Sequence, residues 1–206
     1  MHRPKLSETA HIRNGFPIRS RFEHDPRGNI RIIMPADFGP FEPPEFGALR
    51  RKMEVNAKIR AHLLQPGDIL FYGRSGKRYA AVLGSDVPDD VAAAGNLLVI
   101  SAMDQHLSMP EYLNWYLNSE MAEKYFTAAA SGSNMPMVSK AALSDLPVHL
   151  PDIKIQKEIV EAWYLWMREE RLEKRKFEIR SKIVKNALNT IAAGGWPECT
   201  GTDSDF

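Results

Sequence analysis

An α+β chain is predicted: a β-rich domain with packed helices over residues 1–151, one long coiled-coil-type helix over 152–193, and a polar, frayed tail over 194–206. Three observations predict it. Up to Ile100, short apolar runs of strand composition are punctuated by Gly and Pro. After residue 105 the apolar period becomes helical. From Asp152 to Ala193 there is neither Gly nor Pro, which at about 1.5 Å per residue allows a rod of roughly 60 Å.

The bulk numbers describe an ordinary globular chain. It has 206 residues, 44% apolar and 26% charged, room for one well-cored domain plus an appendage. No run approaches the roughly 18 apolar residues of a membrane span. Met1-His2-Arg3-Pro4-Lys5 leads into no apolar secretory region, so a cytoplasmic protein is expected. The single cysteine, Cys199, lies in the polar tail. It excludes a disulfide framework and a Cys-based metal site within one chain.

Net charge is +1, but it is unevenly spread. Residues 1–80 carry 15 Lys/Arg against 8 Asp/Glu, residues 81–153 carry 2 against 9, and residues 154–206 carry 10 against 9. Such asymmetry predicts a directed electrostatic surface with phosphate as a candidate partner, unless the two segments interleave and their charges pair.

Individual elements follow. Asn29 to Met34 has strand composition after the Pro26-Arg27-Gly28 turn. Val55, Ala57, Ile59 and Ala61 alternate with polar residues, the pattern of a half-buried strand. Gln65-Pro66-Gly67 turns the chain into a strand at Asp68–Tyr72, and Tyr79–Leu83 and Leu97–Ile100 are two more. Gly39 to Gly47, with three prolines, reads as a loop. Ser108 and Glu111 have the spacing of a capping box, with Pro110 at the start of a helix carrying Leu113, Tyr116 and Leu117. Ser119 caps a second helix to Ala130, and Ser139 a short third to Leu143. Leu146–Leu150 is extended, and Pro151 ends it. On the long helix the apolar positions are dense at both ends, whereas Arg168–Lys176 offers only Leu172. The seam is interrupted, so both ends want a partner while the centre tolerates water.

Several patterns suggest chemistry and fail on spacing. Gly73-Arg74-Ser75-Gly76-Lys77 places two residues between its glycines where a phosphate loop needs four, and Arg78 stands where Ser or Thr is required. Glu42-Pro43-Pro44-Glu45 lacks both the opening amide or acid and the aromatic of an amino-methyltransferase motif. His2, His11, His24, His62, His106 and His149 show no metal-ligand spacing. There is no Gly-x-Ser-x-Gly elbow, and Asp89-Asp90 reads as a solvated turn. The absence of a catalytic constellation points to a binding role.

The order of motifs resembles the specificity subunits of Type I restriction-modification enzymes. Leu6 to Pro17 is similar to that family's opening, where a short amphipathic segment leads to a glycine turn. Gly28–Ile33 is similar to its second strand, Leu64-Gln65-Pro66-Gly67-Asp68-Ile69-Leu70-Phe71 to its strand entry, and Pro110–Leu117 to the following helix. Gly132-Ser133-Asn134, Leu146–Pro151 and Gln156-Lys157-Glu158-Ile159 resemble the exit into its long helix. Full-length members hold two recognition domains and two long antiparallel helices, whereas this chain offers one of each. The resemblance therefore implies pairing with a second copy or with another half-length subunit.

It further implies a non-catalytic, phage-defence subunit whose target-recognition domain reads one half of a bipartite double-stranded DNA site. The helix would be the spacer, and modification subunits carrying the methyl donor S-adenosylmethionine would dock on the scaffold. Restriction subunits would join the larger complex, and the chain itself would bind no cofactor or metal. Within this frame, cations on turns are the expected phosphate contacts and short polar groups the expected base readers. The DNA-binding candidates are Arg13, Arg19, Arg21, Arg27, Arg74, Lys77, Arg78, Ser133 and Asn134. Those for the dimer interface are Ile159, Trp163, Trp166, Leu172, Phe177, Val184 and Leu188. An autonomous DNA-binding protein and a helix-mediated oligomerisation protein without DNA binding remain as alternatives.

Overall fold

The computed structural model describes residues 3–17, 28–49, 52–53, 57–74, 76–129 and 137–195. They fall into two units, one ending at Val160 and one beginning at Glu161.

In the first unit, α1 (Leu6–Thr9) runs directly into β1 (Ala10–Asn14), and two sheets follow. The larger is fully antiparallel, built from β1, β7 (Leu98–Ala102), β4 (Ile69–Arg74) and β5 (Lys77–Val82) in that order. The smaller has β3 (Lys52–Met53), β2 (Ile30–Ile33) and β6 (Val91–Ala93), with β2 antiparallel to β3 and parallel to β6. Strand alternation explains why one sheet serves two cores. Ile69 and Phe71 face a cluster with Tyr112, Leu113, Tyr116 and Phe126 from the helices. Leu70, between them, faces a second cluster with Ile33, Leu64, Leu83 and Val99. Such strands are apolar on both faces, which is why they read as continuous runs.

The expected strands at 29–34, 68–72, 79–83 and 97–100 are present. Strand β1 was expected only as an amphipathic segment, yet Ala10 and Ile12 are buried and His11 is exposed. Of the alternation over 55–61, residues 55 and 56 lie outside the described residues, and 57–60 form not a strand but one turn of helix, α2 (Ala57–Arg60). Only Ile59 of its described part is buried, against Ile30, Ile32 and Ala92, while Ala61 is exposed. A single inward residue needs no strand face, and alanine favours helix.

The helical half comprises α3 (Pro110–Leu117), α4 (Glu120–Ala129), α5 (Lys140–Ser144) and α6 (Ile153–Ala192). The capping box at Ser108 and Glu111 is not formed. Met109 is the residue preceding α3, and no side chain caps it. Ser139 does cap α5, its hydroxyl accepting from the Ala142 N–H at 3.1 Å. The root of α6 is fixed to the first unit by two buried residues, Gln156 and Val160.

The second unit contains the remainder of α6. Its charged centre carries pairs distributed around the helix: Lys174–Glu170 at 2.9 Å, Lys176–Glu173 at 3.0 Å and Arg175–Glu178 at 3.5 Å. Each exposed pair contributes only about 0.3–0.5 kcal/mol, so they permit the rod rather than hold it rigid. Of the frayed tail expected over 194–206, all but Gly194 and Gly195 lies outside the described residues.

Candidate nucleic-acid interface

The basic start and acidic middle of the chain do interleave, which corrects the expectation of a wholly directed surface. Arg31 of β2 grips both carboxylate oxygens of Asp90, ahead of β6, through the Nε–Nη2 edge of its guanidinium, with Nε donating to Oδ2 at 2.8 Å. Arg78 of β5 does the same to Glu123 of α4, with Nε to Oε2 at 2.7 Å. Lys5 reaches Asp145 at 2.7 Å. In each pair the cation comes from residues 1–80 and the acid from 81–153, so part of the asymmetry is internal. The paired guanidinium of Arg78 holds the Glu123 carboxyl below its ordinary range.

Arg13 is likewise engaged. Facing Val99 across the β1–β7 ladder, its guanidinium donates to the carbonyls of His62 (3.3 Å) and Leu63 (3.1 Å) and to Asp68 Oδ2 (3.0 Å). Asp68, only 4% exposed, also accepts from the Ser101 hydroxyl at 2.5 Å and from the Gln65 N–H at 3.1 Å. Together they fasten the segment entering β4 to the sheet. Arg13 and Arg78 are thus committed to folding contacts. Among the DNA-binding candidates, Arg19, Arg21, Arg27, Ser133 and Asn134 lie outside the described residues.

Arg74 and Lys77 differ: among the described residues neither has an ion-pair partner. They face each other at the end of the β4–β5 hairpin. The glycine-rich run that mimics a phosphate loop is therefore the tight turn of this hairpin, with Gly76 at φ 75° supplying the left-handed step. Arg74 rests one guanidinium nitrogen 3.2 Å from Met137 Sδ.

Around Arg74 lies a depression of about 410 Å³, whose polar lining includes Asn14, Asn96, Ser139 and Lys140. Three chain segments converge there for local reasons. Asn14 ends β1, opposite Leu98. Asn96 sits in the turn closed by the Leu97 N–H to Ala94 C=O bond at 2.9 Å. Val138 lies flat across Gly73, its N–H bonded to the glycine carbonyl at 2.9 Å, where a Cβ would come within 2.9 Å of Val138. The site thus combines two cations with side chains able to donate and accept, the chemistry that phosphates and base edges call for. Asn14, Asn96, Ser139 and Lys140 were not singled out from sequence. They lie on three segments and no local motif joins them.

On the arm, Trp163 and Trp166 stack at a ring-centroid distance of 4.7 Å. Trp166, Phe177, Val184 and Leu188 are exposed, Phe177 the most at 72%. Ile159, at the root, is half-buried and packs on the first unit's helical core. Leu172 is separate. At about 100° per residue it lies roughly 140° around the helix from Phe177. It shares a second stripe, at spacings of seven and four, with Leu165, Ile179 and Ile183, all exposed.

No group of metal-binding side chains occurs among the described residues, and no helix described is long and apolar enough to cross a membrane. A family model for the Type I restriction modification DNA specificity domain matches residues 5–164. No curated protein matches the chain. Several solved structures share the fold, among them these three. One belongs to a study of complex assembly and conformational transition of the type I R-M system, with 19% identity and TM-score 0.61 over 89% of this chain and 43% of that one. The HsdS subunit from Thermoanaerobacter tengcongensis has 21% identity and TM-score 0.58 over 85% and 39%. The S subunit of the Type-I restriction-modification system from M. genitalium has 13% identity and TM-score 0.52 over 91% and 44%. The chain spans less than half the length of each.

Proposed function

We propose, because the chain belongs to the Type I restriction modification DNA specificity domain family, that it reads one half of a bipartite duplex site for a Type I restriction-modification complex. The observation that carries the reading furthest is the convergence of Arg74 and Lys140 with Asn14, Asn96 and Ser139 in one depression at the sheet end. Cations there would set register on phosphates, and amides and hydroxyl would contact base edges. Lys77, across the hairpin end, is a further phosphate contact. The chain supplies recognition, while methyl transfer belongs to separate modification subunits that hold the cofactor. It acts in the cytoplasm, where its DNA is.

Each unit has its task. The domain reads, and α6 joins it to a second half, either another copy of this chain or a different half-length subunit. The stripe of Trp163, Trp166, Phe177, Val184 and Leu188 serves that pairing. The stripe of Leu165, Leu172, Ile179 and Ile183 is left for helices of the modification subunits, and restriction subunits complete the larger assembly.

Co-expression with the modification subunit, followed by mapping of methylated adenines, tests the whole reading. A discontinuous methylated motif is expected. Unmethylated DNA despite a purified complex would refute it.

A further inference from the structure

The backbone bond from the Val138 N–H to the Gly73 carbonyl, 2.9 Å long, pins the chain beside the end of the β4–β5 hairpin. It sets Met137, the residue before Val138, against Arg74, the residue after Gly73. Arg74 Nη2 donates to Met137 Sδ at 3.2 Å, and both residues line the depression that Asn14, Asn96, Ser139 and Lys140 share. The sulfur is thus held at the cation by two separate fastenings, one of backbone and one of side chain.

Three properties set this methionine apart. It is 56% exposed, more than Met103 at 47% or Met121 at 39%, and exposed sulfur is what oxidants reach. A thioether ordinarily fills gaps in apolar packing, yet this one stands at the lip of a polar depression, beside a cation without an ion-pair partner among the described residues. A thioether is also a weak acceptor, so the contact leaves Arg74 available to a phosphate.

That availability depends on the oxidation state of the sulfur. A hydroperoxide can deliver one oxygen atom to it. A lone pair of Sδ attacks the terminal peroxide oxygen, and the S–O bond forms as the O–O bond breaks. A proton passes between the two peroxide oxygens, so water leaves when the oxidant is hydrogen peroxide. Sulfur gives up two electrons, the peroxide takes them, and no proton comes from the protein. The sulfoxide carries its negative end on oxygen, so a strong acceptor replaces a weak one. Hydrogen bonds from a charged donor are the strong ones, and a guanidinium bound to this oxygen is a poorer partner for DNA phosphate.

We propose that Met137 is a redox modification site controlling the DNA contact of Arg74: oxidised by a hydroperoxide to the sulfoxide, it engages the guanidinium and weakens duplex binding. The proposal rests on the reading of this depression as the DNA contact and adds its regulation. Methionine sulfoxide is enzymatically reducible, so the change is reversible.

The test uses the full chain and a fluorescent mixed-sequence DNA duplex, before and after treatment with hydrogen peroxide. Peptide mass mapping reads the oxygen gained at each methionine. Oxidation of the parent should weaken duplex binding about fivefold and make its salt dependence shallower. Methionine sulfoxide reductase with dithiothreitol should restore both. Met137→Leu should keep its affinity through peroxide treatment, while Met103→Leu and Met135→Leu stay sensitive. Arg74→Ala, weaker from the start, should lose nothing further. If the parent gains oxygen at Met137 and binds unchanged while Arg74→Ala binds weakly, the modification site is overturned and the DNA reading stands. Arg74→Ala binding as well as the parent before any treatment overturns both. A loss of binding that persists in Met137→Leu, or a Met137 that gains no oxygen while Met103 does, also overturns the proposal.

Discussion

Gln156 Nε2 donates to the carbonyl of Leu107 at 2.8 Å, binding the first turns of the long helix to the loop ahead of α3. The same nitrogen donates to Pro151 C=O at 2.7 Å, and Oε1 accepts from the Met109 N–H at 3.0 Å. The residue is fully buried, so each of these backbone groups would lose this hydrogen bond if the amide were removed. Gln156→Ala should cost about 2 kcal/mol of stability, read as a lowered denaturation midpoint of the first unit. Faster hydrogen exchange at Met109 should accompany it. An unchanged midpoint would show that the loop and helix root are joined by packing alone.

Asp68 should be the most sensitive acid in the domain. Asp68→Ala leaves the guanidinium of Arg13, the Ser101 hydroxyl and the Gln65 N–H without their shared acceptor, a loss of about 3 kcal/mol. Arg13→Ala should cost less, because Arg13 is partly exposed whereas Asp68 is buried. Chemical denaturation of both variants checks the order.

Acid should loosen the α4–β5 contact. Glu123 has its carboxyl pKa lowered by Arg78, so its stabilising effect is complete above the ordinary glutamate range and disappears as pH falls through and below it. Melting temperature measured against pH should fall less steeply over that interval in Glu123→Gln than in the parent. Equal slopes would show that the pair contributes nothing, an outcome its solvent exposure makes a fair test.

Arg74 and Lys140 should act on DNA without acting on the fold. Each alanine variant should keep its melting temperature, bind duplex weakly, and show a salt dependence shallower by about one unit in log–log slope. Asn96→Ala should change which sequences are preferred more than it changes the salt slope. Variants that bind as the parent does would move the interface elsewhere.

The two stripes of the arm should separate genetically. Trp166→Glu should abolish pairing of the chains, whereas Leu172→Glu should leave pairing intact and impair capture of the modification subunit. Light scattering and co-purification read the two effects. Loss of pairing in Leu172→Glu would mean that one broad face serves both.

Much of the architecture was legible because burial writes itself as period. The strands around Ile32, Phe71, Ala81 and Val99 are apolar runs bounded by turns, and the long helix follows from an absence of Gly and Pro. Residues 57–60 misled because a buried Ile59 between Lys58 and Arg60, with alanines two positions to either side, imitates alternation. Ser108 and Glu111 had the spacing of a cap, but Ser108 is buried instead. The interface was less legible. Arg13, Arg74 and Arg78 look alike in sequence, and only their neighbours in space, Asp68, Met137 and Glu123, tell a folding contact from an available cation. Asn14 and Asn96 meet through the pairing of β1 with β7, and Lys140 joins them through the Val138–Gly73 backbone bond, which no local spacing announces.

Val138 lying flat on Gly73 has a consequence for how such a protein can change. A side chain at Gly73 would run into those of Phe71 and Val138, so the sheet beneath is closed there, while Asn96, Ser139 and Lys140 lie on turns and a short helix above it. Substitutions in that upper layer alter what is contacted without disturbing the floor that supports it. Preference for one target over another is then free to drift while the scaffold stays put.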